Sequence, residues 1–364
     1  MNPITVRRLR RLPGRAITSV RQESGCDGRR HTDLIIPDHK RRRGTKEHGW
    51  GSATIRAIAS LREIDMPDLG RTLRAAAATV VLGTAALAAE AADRFWPPIV
   101  DPPTGQHTPG RWVWADLVTA DVALAADFYS KVFGWTFETY GGENDLETYT
   151  LVLADGLPIG GMVFDQRALK DKVPTARWVA LASVTDVPAA AKAATEGGGE
   201  VVYAPVMLGE RGETAIFQDP EGVLFGVVRS KHGDPADYFA DLNEWVWLDL
   251  WTADVERAAK FYGAVIGYEV LPLPDDGARP GVHLVSGGFV RAGIMQKADD
   301  RLSAAWLPYV RVADAKAAVE KARAAGGTVL REPVSMKRAI LAIVADPTGA
   351  PLGLAQLPDP EASR

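Results

Sequence analysis

The chain has 364 residues, 46% hydrophobic and 24% charged, which allows two or three domains with buried cores and argues against a fibrous or wholly disordered protein. Its net charge of −4 conceals a division: residues 1–65 carry 15 Lys and Arg against 7 Asp and Glu, and the remainder carries 27 against 39. So sharp a split marks a boundary. The one cysteine, Cys26, lies in the basic part, so the rest of the chain can make neither disulfides nor thiolate metal sites; this leaves the redox compartment open.

Residues 1–65 do not read as a domain. Basic runs such as Arg41-Arg42-Arg43 alternate with Gly and polar residues, and the apolar stretches are short and aperiodic. Too little surface could be buried to offset chain entropy. A nucleic-acid-binding arm is one reading; the pattern favours an extension without a core, or translated sequence ahead of a later start at Met66. Residues 66–91 have the layout of an export signal. Arg71 and Arg74 precede the uncharged stretch Ala75–Leu87, and small residues follow at A-x-A spacing in Ala86-Leu87-Ala88 and Ala89-Glu90-Ala91. Thirteen residues are too few for a bilayer, which needs about 20. With Met66 as the start, the expectation is an exported, periplasmic protein with no membrane segment after signal removal; with Met1 as the start, a cytoplasmic one. An Ala-rich helix packed on the domain is the alternative. Residues 92–110, rich in Pro, read as a linker.

A repeat follows. Residues 112–134 (WVWADLVTADVALAADFYSKVFG) and 245–267 (WVWLDLWTADVERAAKFYGAVIG) correspond at an offset of 133, with Trp112, Trp114, Asp116, Leu117, Thr119, Asp121, Phe128, Tyr129 and Gly134 recurring as Trp245, Trp247, Asp249, Leu250, Thr252, Asp254, Phe261, Tyr262 and Gly267. Trp178 precedes Asp186 by eight residues, as Trp306 precedes Asp314, and each leads into an Ala-rich stretch ending in Gly198-Gly199 or Gly326-Gly327. Each half closes with Asp-Pro-x-Gly, at Asp219–Gly222 and Asp346–Gly349. Residues 112–118 alternate with period two, which puts Trp112, Trp114 and Asp116 on one strand face. Asp121 is placed as an N-cap for a helix containing Phe128-Tyr129, and three short β-type runs follow. The unit is therefore βαβββ. It recurs at about 177–229, 245–297 and 305–357, giving domains at 111–229 and 245–357, a polar linker at 230–244 and a tail at 358–364.

This order of Phe-Tyr and Asp-Pro-x-Gly motifs, present twice over residues 111–357, resembles the vicinal oxygen chelate superfamily of glyoxalases, bleomycin resistance proteins and extradiol dioxygenases. The resemblance implies an α+β fold: four βαβββ units paired into two tandem domains, each a curved mixed sheet forming a cup with helices outside. It further implies four metal-ligand positions per cup. In this chain the first His position falls on Trp114 and Trp247. The second falls on Trp178 and Trp306, with room for a one-residue offset. The two Glu positions fall on Gly160-Gly161 and Gly226 in the first domain, and near Gly293 and on Gly353 in the second. Trp and Gly do not ligate divalent metals. The expectation is a metal-free protein without a cofactor.

Trp112, Trp114 and Trp178 are expected to face one cup, and Trp245, Trp247, Trp251 and Trp306 the other, as a flat apolar pocket with indole N–H donors or as side chains that fill the cup. Asp116 and Asp249 share these faces, either as structural carboxylates bonded to backbone or indole or as general bases with raised pKa. The loop Glu210-Arg211-Gly212-Glu213 and its counterpart Lys337-Arg338 are read as solvated, with an anionic ligand as the alternative. Phe128-Tyr129 and Phe261-Tyr262 are read as core. Three classes of function remain open. One is a metal-independent binder of a small, partly aromatic molecule, as in the drug-sequestering branch of the family. The second is an enzyme: a lyase or isomerase using Asp116 or Asp249, or a dioxygenase-type enzyme with displaced metal ligands. The third is an interaction module with filled cups. The chain 111–357 carries no nucleic-acid stripe, and a monomer with pseudo-dimeric domains or a homodimer are both consistent with it.

Overall fold

The structure is a computed structural model that describes residues 96–142, 148–165, 176–273, 280–297, 303–336 and 339–358. The basic extension, the export-type segment 66–91, the start of the linker and Lys337-Arg338 lie outside the described residues.

The first domain runs β1 (Trp112–Thr119), α1 (Val122–Phe133), β2 (Thr136–Gly141), β3 (Thr148–Ala154), β4 (Leu157–Phe164), then β5 (Arg177–Ser183), α2 (Val187–Glu196), β6 (Glu200–Leu208), β7 (Gly212–Gln218) and β8 (Leu224–Ser230). The second repeats it: β9 (Trp245–Thr252), α3 (Val255–Ile266), β10 (Glu269–Pro272), β11 (Gly281–Ser286), β12 (Phe289–Gln296), then β13 (Ala305–Arg311), α4 (Ala315–Ala324), β14 (Thr328–Met336), β15 (Ala339–Ala345) and β16 (Pro351–Gln356). The βαβββ reading thus holds four times.

Sequence chemistry explains the helix limits. Asp121 accepts the Leu124 backbone N–H at 2.9 Å, and Asp254 that of Arg257 at 3.0 Å, each satisfying an orphan donor of the first turn. Gly134 and Gly267 end α1 and α3 at φ of 73° and 86°, a left-handed conformation that glycine adopts without a Cβ penalty.

Each domain is one eight-stranded mixed sheet, in the order β2-β3-β4-β1-β5-β8-β7-β6 and its equivalent β10-β11-β12-β9-β13-β16-β15-β14. The antiparallel β1–β5 and β9–β13 pairs join the two units of each domain, and β4 and β8 (β12 and β16) run parallel to them. The helices lie outside each cup, between the two sheets. One core combines α2 and its strands with Leu250, Phe261, Tyr262 and Ile294 of the second domain. The other combines Phe128, Tyr129 and Trp135 with Val319, Val344 and Leu354.

Two relays tie the halves together. Trp178 Nε1 donates to the Tyr129 hydroxyl at 2.8 Å, which donates to Asp346 Oδ2 at 2.9 Å. Trp306, Tyr262 and Asp219 repeat this at 2.8 and 3.0 Å. In each relay the other carboxylate oxygen caps the Asp-Pro-x-Gly turn, on Glu221 and Val223 N–H or on Thr348 and Ala350 N–H. The Tyr of one domain and the Asp of the other form one buried joint, which accounts for both motifs as core, as expected of Phe128-Tyr129 and Phe261-Tyr262.

Candidate functional site

The alternation read from 112–118 fails at its first step. The β1–β5 register shifts between Trp112 and Trp114, and the β9–β13 register shifts at the pairs of Trp245 and Trp247. Such a bulge puts two residues opposite one and breaks the period-two order of faces. Trp112 therefore packs on the helix side, its ring centroid 4.9 Å from that of Trp306. Trp245 packs there as well, 4.9 Å from Trp178 and 5.3 Å from Trp135. Trp178 and Trp306 lie in the same inter-domain cores. Of the seven tryptophans expected in cups, the structure places Trp114 in the first and Trp247 and Trp251 in the second. Asp116 and Asp249 do share faces with Trp114 and Trp247.

The first cup is closed by its own side chains. Asp116 is 8% exposed, and Arg211, far from solvated as the loop reading expected, is 1% exposed. Arg211 Nη1 reaches Asp116 Oδ2 at 2.7 Å, and its other amino group meets the Tyr149 hydroxyl. Tyr149 donates to Asp116 Oδ1 at 2.6 Å, and Trp114 Nε1 donates to the same oxygen at 2.9 Å. Trp96, from the linker, lies 4.5 Å over the Arg211 guanidinium and 4.7 Å from the Tyr149 ring, with Ile99 buried beside it. A guanidinium enclosed by three aromatic rings and paired with a carboxylate fills the cup, although its Nε–H is buried without an acceptor.

The second cup keeps the aspartate, and among the described residues it has no counterpart of Tyr149 or Trp96; Lys337-Arg338, at the place of Arg211, lies outside them. Trp247 Nε1 donates to Asp249 Oδ1 at 2.7 Å, and the Tyr309 hydroxyl engages the carboxylate. Among the described residues no cation pairs with Asp249. The position of Tyr149 is taken by Gly281, judged from the pairing of Leu151 with Gly161 and of His283 with Gly293. Val246, Trp247, Trp251, Leu341 and Ile343 remain partly exposed around Tyr309 and Leu307. Trp251 Nε1 is buried with no acceptor, although the Tyr309 hydroxyl is close enough to feel it. His283 flanks Trp247 with ring centroids 6.0 Å apart, and burial lowers its pKa, favouring the neutral ring. Burial likewise raises the Asp249 pKa to about 6, against the opposing pull of the Trp247 and Tyr309 donors.

The family's metal does not fit either cup. A Cβ at Gly161 would fall 1.8 Å from the Tyr149 hydroxyl, one at Gly293 2.3 Å from Asp249 Oδ1, and one at Gly353 2.1 Å from the Tyr309 ring. The space of the absent Glu side chains is filled by phenols at Gly161 and Gly353, by the aspartate at Gly293, and by Leu181 and Ile216 at Gly226. The residues of β5 and β13 that pair with the cup-facing residues of β1 and β9 are Val179 with Leu181, and Leu307 with Tyr309, so the second His position moves one residue or more from Trp178 and Trp306 and still lands on no metal ligand. No group of three or more His, Cys, Asp and Glu occurs among the described residues.

Arg211, Tyr149, Trp96 and Tyr309 carry this chemistry and were not singled out as cup residues from the sequence. For Arg211 a signal existed: it is a lone arginine on a turn opposite a strand that carries an inward aspartate. For Trp96 none did, because its partners Tyr149 and Arg211 lie far along the chain from it.

Comparison with known families agrees with this geometry. Residues 111–227 match the Glyoxalase/Bleomycin resistance protein/Dioxygenase superfamily, and residues 245–355 match a glyoxalase-like domain. The chain belongs to this vicinal oxygen chelate superfamily and carries two of its domains in tandem. It is 29% identical over 268 residues to the anthracycline biosynthesis protein DnrV of Streptomyces peucetius, covering 69% of this chain and 95% of that one. It is 28% identical over 262 residues to DauV of Streptomyces sp. strain C5, also described as an anthracycline biosynthesis protein, with the same coverage. Among solved structures, the Mn(II)-bound glyoxalase from Novosphingobium aromaticivorans aligns over 68% of this chain and 82% of its own, with a TM-score of 0.49 and 15% identity.

Proposed function

We propose that this protein binds a small, partly aromatic molecule in the cup of its second domain without the help of a metal, and that the first cup is a structural element. The observation that carries this reading is the contrast between two equivalent aspartates. Asp116 is enclosed by Arg211, Tyr149, Trp114 and Trp96, while Asp249 sits on a partly exposed wall of Trp247, Trp251, Leu341 and Ile343. A concave apolar surface with a few fixed polar groups is the usual form of a small-molecule site. The third class of function, a filled cup, describes the first domain alone. Two relatives are named for anthracycline biosynthesis, and an anthracycline is a flat polycyclic aromatic, which accords with a planar ligand.

Titration with anthraquinone-2-sulfonate, followed by tryptophan fluorescence, tests this. Quenching is expected to saturate, to weaken in Trp247→Phe, to persist in Trp114→Phe and to be indifferent to EDTA. Quenching abolished by EDTA, or about one zinc, iron or manganese per domain by elemental analysis, would return the protein to metal-dependent chemistry.

A further inference from the structure

We infer that residues 96–100 form an autoinhibitory strap on the first cup. The Trp96 indole holds, as a resident ligand, the place of a neutral two-ring planar aromatic that carries an acceptor oxygen, and release of the strap admits such a molecule. The inference is independent of ligand binding in the second cup, and it makes the first cup structural only while the strap is closed. Residues 92–110 read as a Pro-rich linker in the sequence. From Trp96 onward this segment is held to the domains at both ends, and the two ends are held very differently.

The end next to β1 is tied by backbone hydrogen bonds. Thr104 and Gly105 N–H both donate to the His232 carbonyl at 3.0 Å, and Asp234 N–H donates to that of Gln106 at 2.6 Å. Gly110 N–H donates to the Ser183 carbonyl at 2.8 Å, and the Tyr268 hydroxyl donates to that of Gly110 at 2.6 Å. A Cβ on Gly233 would fall 2.3 Å from Thr104 Oγ1, so the two backbones lie in direct contact. The far end depends on burial instead. Pro97 and Pro98 have no N–H to donate, and the Trp96 carbonyl accepts from Glu210 N–H at 3.1 Å. Ile99, 2% exposed, joins the cluster of Val113, Tyr149 and Leu181. Between the two ends, Asp101, Pro102 and Pro103 are exposed. The far end can therefore swing away while the near end stays fixed, because a segment held by few contacts opens locally ahead of the fold.

The space for a ligand is the space the indole fills. The Trp96 ring lies 4.5 Å over the Arg211 guanidinium and 4.7 Å from the Tyr149 ring, contacts that another planar π-system of its size would make. Arg211 is 1% exposed, and its Nε–H is buried without an acceptor. An acceptor oxygen on a ligand would relieve that cost, whereas the indole nitrogen is a donor and cannot. Asp116 already balances the guanidinium charge, which favours a neutral molecule over an anion. The strap is also foreign to the repeat. At the offset of 133, Trp96 corresponds to Arg229, which lies within β8. The second sheet has the same strand order without such a segment, so the strap closes the cup and is not needed to complete a sheet.

The test titrates the full chain, labelled with nitrogen-15 tryptophan, with coumarin, a neutral two-ring lactone, and follows the indole N–H resonances by NMR. The Trp114 signal, from the N–H bonded to Asp116, reports the first cup, and the Trp247 signal reports the second. The Trp178 and Trp306 signals report the buried relays and hence the fold. Ile99→Ala loosens the strap without vacating the ring site, and Trp96→Gly removes the plug. A ligand that must displace the strap binds more weakly by the fraction of open molecules. Coumarin is therefore expected to move the Trp114 and Trp96 signals together in wild type, and to bind about tenfold or more tightly in Ile99→Ala and in Trp96→Gly. Equal affinity in wild type and Ile99→Ala overturns the strap as a competitor. A Trp114 signal that coumarin leaves unmoved in Trp96→Gly, with the relay signals in place, overturns the site. Should Trp96→Gly lose the relay signals, the comparison of Ile99→Ala with wild type decides. The Trp247 signal is read separately, so a second cup that fails to bind leaves this inference standing, and the reverse holds as well.

Discussion

Asp116 and Asp249 occupy equivalent places in the repeat and differ in what surrounds them. The Asp116 carboxylate pairs with the buried Arg211 guanidinium, and removing either partner would strand the other in a medium that solvates it poorly. Among the described residues Asp249 meets only neutral donors, so burial dominates and lifts it to about 6 from 3.8. The sign of the stability effect follows. Between those values the folded chain holds a proton that the unfolded chain has released, so stability falls as pH rises from about 4 through about 6 and stays reduced above that. The shift corresponds to about 3 kcal/mol. Asp249→Asn, which never ionises, is expected to be more stable than wild type by about 1–3 kcal/mol at pH 8, with the gap closing toward pH 4. Urea denaturation at the two pH values measures this. A variant less stable at pH 8 would mean that the charged form is favoured in the fold.

At the scale of elements, the glycine pairs that end α2 and α4 serve the joint between domains. A Cβ on Gly327 would fall 2.6 Å from the Phe128 ring and 2.8 Å from the Ala345 carbonyl oxygen. A Cβ on Gly199 would meet the Phe261 ring at 2.9 Å and the Gln218 carbonyl oxygen at 2.6 Å. The Phe of each Phe-Tyr motif thus lies against bare backbone of the opposite domain. Gly327→Ala is expected to cost about 1–3 kcal/mol through overpacking. Phe128→Leu in the same chain should recover part of that loss, because the two sites are in contact. A double-mutant cycle by thermal denaturation reads the coupling, and additive effects would show that the contact does not limit packing. The bulges in β1 and β9 belong to this scale too: one extra residue moves Trp112 and Trp245 from the cup face to the helix side.

For the whole molecule, the consequence is cooperativity. Each core draws residues from both domains, and each Trp–Tyr–Asp relay crosses between them. Neither sheet has a private core on its helix side, so melting one half exposes the apolar face of the other. The region spanning residues 96–358 is expected to unfold in a single calorimetric transition, with calorimetric and van't Hoff enthalpies in agreement. Two separated transitions would show that the halves are independent despite the shared cores.

What the sequence alone determined is what repeats and what is local. The recurrence at an offset of 133 residues, the Asp121 N-cap and the short β-type runs pointed to four βαβββ units, because the repeat copies a pattern whose caps and periodicities each act within a few residues. Trp and Gly at the family's ligand positions could be read in the same way. Tertiary structure alone decided which tryptophans face a cup, since a bulge depends on the strand alongside. It also decided that Arg211 turns inward to Asp116, that Trp96 closes the first cup, and that Tyr309 stands beside Asp249. These contacts join residues far apart in the chain. Their energies come from burial and geometry, which composition and spacing do not encode.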